Sequence, residues 1–381
     1  MFIKRLVCIF LVLALSLSTL ALQVSALDDS EVESPSALLM EPTTRKILYE
    51  KNAHEQRACA SITKVMTLLL VMEAIEQGKI SYDDIVTTSE HAKSMGGSDI
   101  WLEVGEKMTV HEMIKATAVA SANDAAVALA EHLCGSESEF VKLMNQRAKE
   151  LGMKNTVFKN CNGLDEEGHL STAYDVAIMS SELMKHEKIF EYTTIWLDNL
   201  RDGETQIVNT NKLLKTYDGI TGLKTGTTSQ AGSCISATAK RDDMSLVAVV
   251  LGSDSGTIRF KDAAKLLDYG FATYEVISFD ASVMKEKAVS VTNGMTDKAQ
   301  IVCNGSSNIL IKKGSEKDLA HKVSIKESVQ APVSVGQKVG TLSYTLNKEE
   351  VAQFDIVTTE AVDKISFTSL LPLMWDALVA L

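Results

Sequence analysis

The segment SALLMEPTTRKILYEKN, residues 36–52, sets two short apolar-bearing stretches on either side of a polar turn and so predicts a β-hairpin. The period then changes. In ASITKVMTLLLVMEAIEQG, residues 60–78, Ile62, Val65, Met66, Leu69 and Met72 recur at helical spacing, and Gly78 is a natural stop. Leu68, Leu70, Val71 and Ile75 fall on the other faces, so a helix over 61–77 is expected to be buried nearly all round. Further helical patterns cover about 110–134, 137–151 and 171–185, the last with Ser171 or Thr172 as its cap. The first of these is interrupted at Ser121-Ala122-Asn123.

From Gly219 onward the pattern predicts adjacent antiparallel strands at Ser233–Ala239 and Met244–Gly252, closed by a helix near 257–270. After Phe279 come short Val- and Ile-bearing stretches between turn residues, which predict a small all-β domain. The last residues, SLLPLMWDALVAL, are again largely apolar, with Pro372 suited to a helix's first turn and Trp375 beyond it. The expected organisation is a signal over 1–26, a mixed α/β (α+β) unit over 27–278 and an all-β unit over 279–360. A terminal amphipathic segment over 361–381 completes it.

The first 26 residues change the picture of where the chain works. Lys4 and Arg5 precede an apolar run from Leu6 to Leu22 and a small-x-small site at Val24-Ser25-Ala26, the layout of a secretory signal. A membrane-spanning anchor is the other reading, because the run is close to the ~18 residues a span needs. With the signal removed the chain is expected to act outside the cytoplasm. Losing its two positive charges takes the net charge from −12 to −14, which repels phosphate polymers and argues against a nucleic-acid partner. Cys59, Cys134, Cys161, Cys234 and Cys303 show no CxxC spacing, so neither a disulfide framework nor a zinc site is expected. Cys59 reads as a small buried hydrophobe.

The chemistry is carried by three short motifs. Ser61 and Lys64 stand one turn apart at the head of the buried helix, where a serine has a rigid mount and its own N–H can face an oxyanion. A lysine acts as a base only when neutral, and burial together with a second nearby cation would lower its pKa. Ser121 and Asn123 stand at the helical interruption, where hydroxyl and amide can project into a cleft, and Lys224-Thr225-Gly226 heads the strand region. The all-β unit imitates all three with Ser282/Lys285, Ser306/Asn308 and Lys338-Val339-Gly340, so spacing alone decides nothing. Context separates them: only the first set has a helix under its serine, and Val339 lacks the hydroxyl that would bind a carboxylate. A zinc-hydrolase reading of HEMIK, 111–115, fails because Lys115 stands where the second histidine is needed. No metal and no cofactor is implied.

With SITK, SAN and KTG in this order the chain resembles the penicillin-binding serine acyltransferases, which include class A β-lactamases. The stretches VASANDAAVALAEH, FVKLMNQRAKELGMKNTVFKNCNGL and GHLSTAYDVAIMSSEL further resemble the low-molecular-mass D-alanyl-D-alanine carboxypeptidases over residues 36–275. The resemblance implies a β-lactamase/transpeptidase-like catalytic domain with an antiparallel sheet and a helical cluster. It implies that Ser61 is acylated, that Lys64 accepts its proton, and that Ser121 and Asn123 form the second wall. Lys224 and Thr225 would bind the substrate's terminal carboxylate, Gly226 would let the substrate backbone approach, and the N–H groups of Ser61 and Thr227 would form the oxyanion hole. Arg259 is a second candidate anchor for the carboxylate, an ordinary surface arginine being the other reading, and His169 stays outside the catalytic set. The implied substrate is a peptidoglycan stem peptide ending in D-Ala-D-Ala, the implied inhibitors are β-lactams, and the tail would hold the protein on the outer face of the cytoplasmic membrane. A β-lactamase lacks support, since no Glu-x-x-Leu-Asn segment lies between the second and third motifs. A binding or penicillin-sensing module with a dead site is the reading from a different class, against which all three motifs keep their polar side chains.

Overall fold

The computed structural model describes residues 27–278, 283–304 and 308–367. The expected signal, the tail from residue 368 on, and Ser282, Ser306 and Ser307 of the imitated motifs lie outside the described residues. The chain divides into two compact units after Thr273.

In the first unit the expected hairpin forms β1 (Ser36–Glu41) and β2 (Lys46–Lys51), and three more strands follow far downstream: β3 (Ile220–Thr228), β4 (Gly232–Arg241) and β5 (Met244–Ser253). They make one antiparallel sheet of order β2-β1-β5-β4-β3. Every residue of β1 is buried, as expected of a strand covered on both faces. Neighbouring residues of a strand point to opposite faces, and β1 shows what covers each. Leu39 lies under Gly270 of a helix over Gly256–Thr273, while Met40 meets Ser181 of a helix over Ala173–Leu183. A side chain at Gly270 would stand 2.6 Å from Leu246, so the absence of one lets the first helix sit against the sheet.

On the Met40 face lies the helical cluster, with α1 (Lys64–Glu76), α2 (Asn123–Cys134) and α3 (Glu137–Leu151). Ten of the thirteen residues of α1 are buried, as its all-round apolar pattern predicts. Helix 173–183 takes Thr172 as its cap, the side chain accepting from Asp175 N at 3.0 Å. The long pattern at 110–134 is broken into a helix over Val110–Lys115, a π turn over Ala116–Ala120 and α2, with Ser121 between them at φ 63°. Such π turns and left-handed residues gather at functional sites.

The second unit pairs Tyr274–Ser278 with Asn308–Lys312 and builds a six-stranded sheet around Val339, Leu342 and Ile356. Because Tyr274–Ser278 pairs there, the division falls after residue 273 rather than the expected 278.

Candidate active site

Ser61 does not sit in the α-helix itself. It lies in a 3₁₀ turn over Ala60–Thr63 that runs into α1, and the turn begins with Ala60 at φ 50°. This differs from the expected helix start at 61. The tighter turn keeps Ser61 half-exposed while Lys64 is wholly buried. Lys64 Nζ donates to Ser61 Oγ at 3.0 Å, to Asn123 Oδ1 at 2.5 Å and to the Asn162 carbonyl at 2.6 Å. All three protons of a charged amine have an acceptor, and a neutral amine would have a lone pair free for Ser61.

Burial takes the Lys64 amine from its usual range down to about 7, opposed by Cys161, Asp99 and Asp124. A second nearby cation was expected to lower it beside burial, and Lys224 is the cation that stands there. Burial is the larger cause, and Lys224 is itself pushed well below its ordinary value, by burial first and then by Lys64 and Arg259, so the repulsion between the two amines acts on both. The free site therefore resists holding two ammonium ions at once.

The second wall comes from the break before α2. Ser121 Oγ accepts from Lys224 Nζ at 2.7 Å. Asn123 is pinned on three sides: its N–H to Ser98 O at 2.6 Å, its Nδ2 to Gly96 O at 2.6 Å, and its Oδ1 to Lys64. Asp124, next in the chain, accepts from the N–H groups of Ile100 and Leu102, so the loop 96–102 is fixed to the same helix start.

The third wall is β3. Lys224 and Thr225 are buried, Thr225 Oγ1 donates to Thr210 Oγ1 at 2.6 Å, and Thr227 is exposed. A Cβ on Gly226 would lie 2.8 Å from Ser61 N and 3.0 Å from Cys59 O, so only glycine lets the strand run this close to the serine. Arg259 is no surface residue: it is buried behind β3, and one guanidinium nitrogen reaches Gly226 O, Thr227 Oγ1 and Cys234 O at 2.8, 2.9 and 3.3 Å. Its Nε has no acceptor among the described residues. Ser61, Lys64, Ser121, Asn123, Lys224, Thr225, Gly226 and Thr227 thus meet in one place, and Arg259 backs them.

The floor makes contacts that were not foreseen from sequence. It is the loop 158–170, whose Asn162 carbonyl holds Lys64 and whose Cys161 carbonyl accepts from Thr67 Oγ1 at 2.6 Å. A carbonyl acceptor has no side-chain signature, though the Asn-Cys-Asn-Gly run marks a tight turn. His169 fastens this loop from below: Thr63 Oγ1 lies 2.8 Å from its Nε2, and its Nδ1 accepts from Lys159 N at 3.2 Å. Burial lowers its pKa to about 4, so it is a neutral structural histidine.

The imitated motifs build nothing comparable among the described residues. Lys338 pairs with Asp355 at 2.5 Å, and Val339 points into the second unit's core. The five described cysteines are free, and Cys59 is buried with its thiol pushed up by burial.

A family model described as D-alanyl-D-alanine carboxypeptidase matches residues 22–255, and one described as penicillin-binding protein 5, C-terminal domain, matches residues 271–364. The chain is 45% identical over 343 residues to D-alanyl-D-alanine carboxypeptidase DacF of Bacillus subtilis, covering 89% of this chain and 88% of that one. It superposes on penicillin binding protein 5 from Haemophilus influenzae with a TM-score of 0.79 at 28% identity, covering 89% of this chain and all of that one (100%). Penicillin-binding protein D2 from Listeria monocytogenes, solved in an ampicillin-bound form, matches at a TM-score of 0.59 and 32% identity, over 64% of this chain and 100% of that one. The three walls therefore stand in a known frame, and the chain belongs to the D-alanyl-D-alanine carboxypeptidase family of serine peptidases, the low-molecular-mass penicillin-binding proteins.

Proposed function

We propose that the enzyme removes the terminal D-alanine from peptidoglycan stem peptides through an acyl-enzyme on Ser61. The observation that carries this is the 3.0 Å contact between Ser61 Oγ and the wholly buried Lys64 amine, lowered to about 7. Ser61 Oγ attacks the carbonyl carbon of the penultimate D-alanine while its proton passes to neutral Lys64. The N–H groups of Ser61 and Thr227 receive the oxyanion, the C–N bond breaks, and the proton goes on to the departing D-alanine amine. Water then takes the acyl group from Ser61.

The substrate's terminal carboxylate binds Lys224 and Thr225. An anion there favours the charged form of Lys224, opposing the burial that pushes its pKa down. Lys64, already near neutrality, keeps its lone pair for Ser61. Arg259 acts through β3, holding Gly226 and Thr227 in place. Penicillin presents the same groups, a carbonyl for Ser61 and a carboxylate for Lys224, and would acylate the enzyme. Slow release follows from the absence of a Glu-x-x-Leu-Asn segment. Glu166 in the floor loop is exposed and accepts from Asn160 Nδ2.

The test is an intact-mass spectrum after incubation with penicillin. Wild-type protein should gain one adduct, Ser61→Ala none, and D-alanine release should vanish with the adduct. Ser282→Ala should behave as wild type. Labelling that survives Ser61→Ala, or is lost in Ser282→Ala, would overturn the assignment.

The enzyme is further proposed to work outside the cytoplasm, delivered by the signal at 1–26 and held peripherally on the membrane by its last residues. Read as a helix from the sequence pattern, about ten residues from Pro372 would extend some 15 Å, against a ~30 Å hydrocarbon core, a length suited to lying in the interface.

A further inference from the structure

The floor loop touches the site at two points, and the proposed reaction uses only one. Asn162 gives its carbonyl to Lys64 at 2.6 Å. Three residues on, Asp165 turns to the opposite wall: Oδ1 accepts from Thr228 Oγ1 at 2.6 Å, and Oδ2 from Ser229 Oγ at 3.1 Å and Gln230 N at 3.3 Å. Thr228 Oγ1 in turn accepts from Ala231 N at 3.0 Å, so the carboxylate closes the whole β3–β4 turn.

The stretch between these two contacts is stiff. Gly163 N donates to Asn160 Oδ1 at 2.7 Å, Leu164 N to Asn162 Oδ1 at 2.9 Å, and Asn160 Nδ2 to Leu164 O at 3.0 Å. Gly163, at φ 88°, lies so close under the Ser61 turn that a Cβ would meet Ala60 O at 2.0 Å. The loop is therefore braced against the nucleophile's turn and against the base, and its free carboxylate grips the strand whose Thr227 N–H faces the reacting carbonyl. Thr228 follows Thr227 directly, so a shift of the Asp165–Thr228 contact moves Thr227 with it.

We propose that Asp165 is a positioning residue for acylation. It fixes the distance between the Ser61–Lys64 pair and the oxyanion-facing end of β3, acting through Thr228 and touching no reacting atom. The assignment rests on Ser61 as the nucleophile, which wild-type and Ser61→Ala labelling decide beforehand and independently. Displacing a catalytic group by a fraction of an ångström to an ångström costs roughly 10- to 100-fold, which sets the expected effect.

The experiment is the rate of penicillin adduct formation by intact mass, across pH, in full-length protein. Asp165→Ala and Thr228→Val should each slow acylation by about 10-fold or more, and the double variant should be no slower than the slower single one, because both remove one contact. Asp165→Asn, which keeps an oxygen for Thr228 Oγ1, should recover most of the rate. Glu167→Gln, which removes an equal charge from the same exposed loop, should match wild type. The acid limb near pH 7 should stay where it is in every variant, since Lys64 is untouched. Should Asp165→Ala fail to fold, Asp165→Asn, Thr228→Val and Glu167→Gln carry the test. Wild-type rates in Asp165→Ala or Thr228→Val, multiplying effects in the double variant, or an equal loss in Glu167→Gln would overturn the proposal.

Discussion

Lys224 Nζ lies 2.7 Å from Ser121 Oγ, joining a sheet strand to a break between helices 103 residues earlier in the chain. The contact closes the far side of the cleft, and both residues are buried. It also makes Lys224 part of a wall as well as a charge. Lys224→Ala should slow acylation by roughly 10²–10³, the usual cost of removing one electrostatic contact to a reacting group. Because the repulsion between the two amines is mutual, losing Lys224 should also let the Lys64 pKa rise, moving the acid limb of the rate upward from about 7. A pH series of adduct formation checks both, and a limb that stays where it is in wild type would leave burial alone as the cause of the Lys64 shift.

Lys64 makes activity and stability depend on pH in a calculable direction. Acylation needs the neutral amine, so its rate should rise as pH rises through about 7. For stability, the folded-state pKa of about 7 lies below the ordinary 10.5, so between them the unfolded chain binds a proton that the folded chain does not. Stability therefore rises with pH in that window, and the cost of the buried amine is complete below it. Melting curves of wild type and Lys64→Met should show the difference shifting in favour of wild type from about pH 7 to about pH 10. A constant difference would mean the amine is not depressed.

Gly226→Ala should fold and fail to acylate. The added carbon meets Ser61 N, Ala60 Cβ and Cys59 O within 3.0 Å, mostly backbone atoms that cannot swing aside. Relief must come by β3 moving away from Ser61, for which we expect a loss of about 100-fold. The check is adduct rate against melting temperature, and a rate unchanged beside an unchanged melting temperature would show that the close approach is dispensable.

Much of this was legible because it rests on side-chain type and period. The two hairpin stretches at 36–52, the buried helix after Ser61 and the break at Ser121 all follow from spacing, and the three motifs from their polar residues. What stayed hidden lies in the backbone. A 3₁₀ turn at Ala60–Thr63 stands in place of a helical first turn, with Gly163 packed closely against it. The acceptor at Asn162 is a carbonyl, which every residue has. Arg259 read equally as surface or site, since only the packing of its helix behind β3 decides which way an arginine at that position faces.

The membrane proposal is checked by sedimenting the mature chain, with and without residues 368–381, with lipid vesicles; Val362 packs in the second unit's core and is kept in both. The intact chain should pellet and the shortened one stay in solution at equal activity. Equal solubility of both would remove the anchor.

The order β2-β1-β5-β4-β3 also dictates when the enzyme can come into being. β1 is complete at residue 41, yet its inner neighbour, β5, begins at residue 244. A lone two-stranded hairpin is at best marginal in water, so the first strands must wait for almost the whole catalytic unit before they are held. A nascent chain ending before β5 holds every motif and no working cleft, because β3 and β4 have nothing to join them to the hairpin. A working cleft is therefore acquired at one late moment of assembly, when a single central strand arrives and closes a loop of some two hundred residues.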